Sequence, residues 1–175
     1  LRYPEEMFRL QSELYLRYHI TDPRVFFVGE DLWAIPSEQR LGQEEPVQPY
    51  YVVMRLPDEA QEEFALIMPF TPRNKQNTVA WLAGRADGEN YGKLRGFRFP
   101  TDDLVFGPAQ VEARIDQNPS ISAQLSLWNQ TGSGVIRGNL LMIPIGDSFL
   151  FVEPIYLQAT NSRLPELKRV VVANG

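Results

Sequence analysis

Between Tyr50 and Phe99 four short apolar or alternating runs, at 50–56, 64–70, 79–85 and 93–99, follow one another with no helical pattern between them. Each is bounded by proline, glycine or asparagine, the residues that end strands and build turns. Parallel neighbours need a crossover of a dozen or more residues, generally a helix, and these runs lie too close together for that. They predict a meander of antiparallel strands. The rest of the chain has to be built around it.

On the N-terminal side, Pro4 followed by Glu5 and Glu6 reads as a helix start, since proline is tolerated at the first position and carboxylates favour the positive end of the macrodipole. Met7, Leu10, Leu14 and Tyr18 recur at helical spacing, which predicts an amphipathic helix over 4–18 with those four residues as its apolar face. Asp22 and Pro23 start a second, short helical turn. Residues 36–49 hold prolines and charges without periodicity and read as a surface loop.

On the C-terminal side, Gly107–Pro108 and Asn118–Pro119 each open a short helix, together a helical insert. Runs at 135–145 and 149–157 flank Gly146–Asp147, a two-residue hairpin signal, and a last strand spans 168–173. Strands outnumber helices without alternating with them. The expected fold class is therefore α+β: a mainly antiparallel sheet of about six to eight strands, an N-terminal amphipathic helix, and a helical insert before a C-terminal hairpin. A chain of 175 residues is expected to form one compact domain, residues 1–175.

No stretch approaches the ~20 apolar residues of a membrane-spanning helix. Both ends look cut, so the chain reads as a soluble piece of a longer protein. With no cysteine, disulfides, thiolate nucleophiles and sulfur-ligated zinc are excluded. His19 is the only histidine, and near the end of the first helix it is expected to bond the last carbonyls. No cofactor motif is present: the glycines at 132, 134 and 138 sit after a helix and before a strand, the reverse of a phosphate-binding loop.

The net charge is −5, which argues against nucleic acid as a partner. Positive charge nevertheless gathers at Arg73, Lys75, Arg85, Lys93, Arg95 and Arg98, opposed within that stretch only by Asp87 and Glu89. These six are the candidate ligand-binding residues, for an anionic lipid, an envelope polymer or a partner's acidic face. The alternative is that they pair with the acidic N-terminal third. Arg95–Phe99 resembles an RNA-binding strand, but Arg98 and Pro100 stand where a small residue and a valine are required.

Glu153 is the one carboxylate that stands out as a candidate catalytic group. If the hairpin closes at Gly146–Asp147, residue 145 pairs with 148 and Glu153 falls opposite Leu140, among Phe151, Ile155, Gly138 and Met142. In such surroundings a carboxylate either has a raised pKa, as a general acid does, or finds a cation on the next strand, for which Arg169 is the candidate. A bulge at Pro154 would instead turn it to solvent. Acid/base chemistry would need a second group, with Asp102, Asp103 and Asp147 as candidates.

Several segments in combination carry a resemblance: R-Y-P-E-E-M-F and Y-H-I-T-D-P-R-V-F-F within 2–27, Y-G-K-L at 91–94, G-P-A-Q at 107–110, and G-N-L-L-M-I-P-I with F-V-E-P-I-Y within 138–156. The chain resembles the large multi-spanning bacterial membrane proteins grouped as uncharacterised protein family 0182. That resemblance implies a membrane-spanning half outside these residues and a soluble region on the extracytoplasmic side. It implies no mechanism and no site residues. The expected function is a non-enzymatic extracytoplasmic binding module of a cell-membrane protein, in envelope function or transport. The alternative is an envelope-acting hydrolase or transferase working through Glu153.

Overall fold

A computed structural model describes residues 2–40, 43–130, 132–145, 148–162 and 164–174. In chain order the elements are α1 Glu5–Tyr18, α2 Pro23–Val28, β1 Trp33–Ala34, β2 Ser37–Arg40, β3 Gln43–Pro46, β4 Tyr50–Arg55, β5 Glu62–Pro72, β6 Ala80–Arg85, β7 Leu94–Arg98, α3 Pro108–Gln117, α4 Pro119–Trp128, β8 Ser133–Arg137, β9 Leu141–Ile145, β10 Ser148–Ala159 and β11 Glu166–Asn174. The fold is α+β, and every strand pair is antiparallel. The chain divides into two compact units, Leu1–Pro36 with Gln48–Val105 and Ser37–Val47 with Phe106–Gly175.

In the first unit the strand order is β1–β5–β6–β7, and β4 lies beside the other half of the long β5. This is the meander expected from residues 50–99. One face of the sheet, carrying Leu66, Met68, Phe70, Ala80 and Leu82, packs with Tyr3, Phe8 and Trp33 into a buried core. Gly84 lies on that face for a steric reason: a Cβ there would stand 2.9 Å from the Phe8 ring.

The apolar face predicted for α1 is corrected by the structure. Met7, Leu10, Leu14 and Tyr18 are exposed, while Phe8 and Ser12 are buried and Tyr15 and Leu16 pack against the core. Both stripes have helical spacing, and the buried one meets rings of the core, with Tyr15 beside Trp33 and Phe70. α2 begins as expected, with Asp22 capping the Arg24 amide, and ends at Gly29 in the left-handed conformation.

In the second unit the sheet runs β11–β10–β8, with β9 also beside β10. The turn at Gly146–Asp147 lies outside the described residues, but Ile145 does pair with Ser148. The single run expected at 135–145 is two strands, whose registers on β10 differ by one residue: Val152 faces Leu141, whereas Ile155 faces Arg137. The loop expected at 36–49 is also corrected. Much of it is the hairpin β2–β3, and β2 contacts α3 and β8.

Candidate functional site

The six basic residues do not form one surface. Arg85 is buried and held by Glu63 at 2.7 Å and Glu59 at 2.9 Å, and Arg95 bonds Glu59 at 2.8 Å and Asp58 at 3.3 Å. The Glu63 hydrogen bond raises the Arg85 pKa further, against the opposing effect of burial. Lys93 donates to Asn90 at 3.0 Å. For Arg85 and Arg95 the pairing alternative holds, and their acceptors are acidic residues of the N-terminal third. Phe97, which lies opposite Trp81 in the register, stacks on it with centroids 4.1 Å apart.

Arg73, Lys75 and Arg98 come together elsewhere. They line one groove of about 510 Å3, bordered also by Trp33, Phe99 and Asp103. Arg73 and Lys75 are exposed, on the turn between β5 and β6. Arg98 donates to the His19 carbonyl at 3.1 Å and lies over the Trp33 ring at 4.7 Å. The groove thus has a guanidinium fixed on an aromatic wall and two further exposed cations along its lining.

His19 is where the sequence reading expects it. Its Nδ1 donates to the Tyr15 carbonyl at 2.8 Å, and its ring stacks on Trp33 with centroids 3.6 Å apart. Burial lowers its pKa, helped by the Arg98 charge and opposed by the Tyr15 hydrogen bond and by Asp31. A neutral ring clamped in this way has a structural role, supporting Trp33, which lines the groove.

In the second unit Glu153 is wholly buried. The predicted neighbours Leu140, Met142, Phe151 and Ile155 are buried too, and no bulge turns Glu153 to solvent. The cation, however, is not Arg169, which lies exposed over the Trp128 ring. It is Arg137, whose Nε and Nη2 donate to the two Glu153 oxygens at 2.5 and 2.8 Å, while Nη1 reaches Asp116 at 2.7 Å. Burial alone would lower the Arg137 pKa; Glu153, by hydrogen bond and charge, together with Asp116 and Glu112, raises it above its ordinary value.

Two further buried glutamates join this cluster, neither singled out by the sequence reading. Glu38 accepts the Leu140 amide at 2.9 Å, and Glu112 accepts the Gln39 amide on both oxygens at 2.8 and 2.9 Å. Burial pushes the Glu112 pKa up to about 7; the Gln39 amide and Arg137 oppose this, and the charges of Glu153 and Glu38 add to it. A usable signal for Glu112 was Val111 and Ile115 on the same helix, which turn that side of α3 inward. Of the acids proposed to assist Glu153, Asp102 and Asp103 belong to the first unit and Asp147 lies outside the described residues. The cluster uses its arginine to neutralise Glu153 and its glutamates to satisfy backbone amides, the arrangement of a structural network.

Comparison with known proteins gives a family and no activity. The model of the uncharacterised protein family UPF0182 matches residues 1–128. The chain is 57% identical over 175 residues to a UPF0182 protein of Desulforamulus reducens and 56% identical over 175 residues to one of Pelotomaculum thermopropionicum. It is 55% identical over 175 residues to a third, from Thermosynechococcus vestitus. All three matches cover 100% of this chain, yet only 18–19% of each relative's length. No solved structure matches it. Among the described residues no helix is long and apolar enough to cross a membrane.

Proposed function

We propose that this chain, which belongs to the uncharacterised protein family UPF0182, is a non-enzymatic binding module on the extracytoplasmic side of a bacterial membrane protein. Its membrane attachment lies in segments outside these residues, and it takes a phosphate-bearing envelope ligand in the groove of the first unit. The observation that carries this reading is the convergence of Arg73, Lys75 and Arg98 on one groove, all three exposed and Arg98 also fixed on Trp33. Exposed cations at a concave surface concentrate anions, and each lysine or arginine near an anionic surface contributes about 1 kcal/mol. The remaining basic residues support the body of the unit.

The pairing of Glu153 also favours a module over the hydrolase or transferase reading. Glu153 is wholly buried and both its oxygens accept from Arg137, so no proton site faces a substrate. A positioned general acid or base needs one.

The test is sedimentation with phosphatidylglycerol vesicles, against phosphatidylcholine vesicles, and titration with a soluble polyphosphate. The double substitution Arg73→Glu with Lys75→Glu is expected to weaken anion binding by about tenfold or more without lowering stability. Binding to vesicles alone points to a lipid headgroup, and binding to both probes points to a phosphate polymer. Wild-type protein that ignores both probes, or a double variant that binds as well as wild type, overturns the proposal. Arg85→Glu does not serve here, because it would leave a buried network with surplus negative charge and unfold the unit.

A further inference from the structure

β11 closes the four-stranded sheet of the second unit and, among the described residues, pairs with β10 alone. The direction of its free hydrogen-bonding groups follows from one bond. The Pro154 carbonyl accepts the Gly138 amide on the side away from β11. In an antiparallel strand, residues alternate in the direction they turn their backbone groups. So Phe151, Glu153 and Ile155 turn theirs to β11, where they face Ala173, Val171 and Arg169. Val170 and Val172 therefore present N–H and C=O outward, at the edge left unpaired among the described residues.

Natural edges are guarded by proline, charge or a bulge. Here the guards, the charged residues Glu166, Lys168 and Arg169 and the register shift at Ile155/Tyr156, lie at one end of β11, and the run Val170–Val171–Val172–Ala173 has none.

The helices of this unit leave the edge accessible. α4 packs toward β8, and none of its residues is buried although Ile121, Leu125 and Trp128 give it an apolar face. Between that face and β11 lies a depression of about 250 Å3 that reaches Ile155 and Val170–Val172. A second, of about 160 Å3, shares Ile121, Val171 and Val172 with it and extends to Phe106 and Ala173. An exposed arginine marks each part of this trench: Arg169 over Trp128 at 5.9 Å and Arg114 over Phe106 at 3.9 Å. Neither has an acidic partner among the described residues.

We infer that this trench takes an extended peptide segment of a partner protein, added to β11 as a further antiparallel strand, with small apolar side chains in the two depressions and an acidic residue at each end. Strand addition draws affinity from main-chain hydrogen bonds and specificity from pockets that receive alternate side chains, and both are present here. A second copy of β11 fits less well, because its own Arg169 would enter a trench already lined by two arginines. An acyl chain would fill the depressions but leave the outward groups of Val170 and Val172 unused.

The probe is a capped nonapeptide with valine at its third, fifth and seventh positions, aspartate at both ends and threonine elsewhere, titrated by calorimetry against the whole chain. One-to-one binding is expected, weakened at least tenfold by Val172→Pro, which removes one outward N–H and no bond to β10. Arg169→Glu should weaken it comparably, and so should lysine in place of the peptide's aspartates. No binding, binding indifferent to Val172→Pro, or equal binding of the lysine peptide overturns the inference. So would dodecanoate or a second copy of the chain competing with the peptide at higher affinity, since either would identify a different occupant.

Discussion

Arg137→Met is expected to destabilise the second unit by about 3–5 kcal/mol, the usual result of leaving a buried charge without its counter-ion. Glu153 is 0% exposed, and both its hydrogen bonds to a charged donor come from Arg137. Glu153→Leu alone should be comparably harmful, because Arg137 is then held by Asp116 only, at the cluster's exposed rim. The double variant Arg137→Met with Glu153→Leu should recover most of the loss, since an apolar pair of similar volume often replaces a buried ion pair at little net penalty. Urea denaturation followed by amide exchange along β10 measures all three. A single variant within about 1 kcal/mol of wild type would remove the pair from the stability of the sheet.

The second large effect is a dependence on pH. Glu112 has a pKa raised from 4.5 to about 7 in the folded chain. An acid with a raised folded pKa binds its proton more tightly when folded, so the stability this group contributes is complete below about 4.5 and is lost as pH rises through 7. The loss amounts to roughly 3.5 kcal/mol at about 1.4 kcal/mol per pKa unit. The groups around it are Glu38, Glu153 and Arg137 with the Gln39 amide. Glu112→Gln should flatten this slope and leave the second unit more stable than wild type at pH 8. His19 acts in the opposite sense on the first unit: its lowered pKa means that stability present above 6.5 is lost as pH falls below it. The comparison with Glu112→Gln isolates the glutamate, and parallel slopes for the two proteins would contradict the assignment.

Most of the strands and helices were legible because their signals are local. Pro–Glu–Glu, Asp–Pro, Gly–Pro and Asn–Pro mark helix starts, and period-two runs between turn residues mark strands. Residues 37–46 escaped because a hairpin built from charged residues and proline has the composition of a loop. What makes it ordered is a tertiary fact, the buried acceptance of the Leu140 and Gln39 amides by Glu38 and Glu112.

The partner of Glu153 was missed through register. With residue 145 opposite 148, uninterrupted pairing would set Arg137 opposite Tyr156, on the other side of the sheet from Glu153. The one-residue change between Val152 and Ile155 sets it opposite Ile155 instead and brings its guanidinium to the carboxylate. In the same way, two helical stripes compete on α1, and periodicity cannot rank them. Only the sheet face that receives Phe8 and Tyr15, with Gly84 and Gly96 cleared for their rings, decides between them.

Because α1 turns Met7, Leu10, Leu14 and Tyr18 outward, with Phe27 of α2 86% exposed as well, concentrated solutions of the isolated chain will show net attraction between molecules. Light scattering should give a second virial coefficient that drops as ammonium sulfate is added, since the salt screens the net charge of −5 and strengthens apolar association. Cooling should relieve the attraction, because apolar association weakens as temperature falls. Leu10→Glu with Leu14→Lys should abolish it without disturbing the helix.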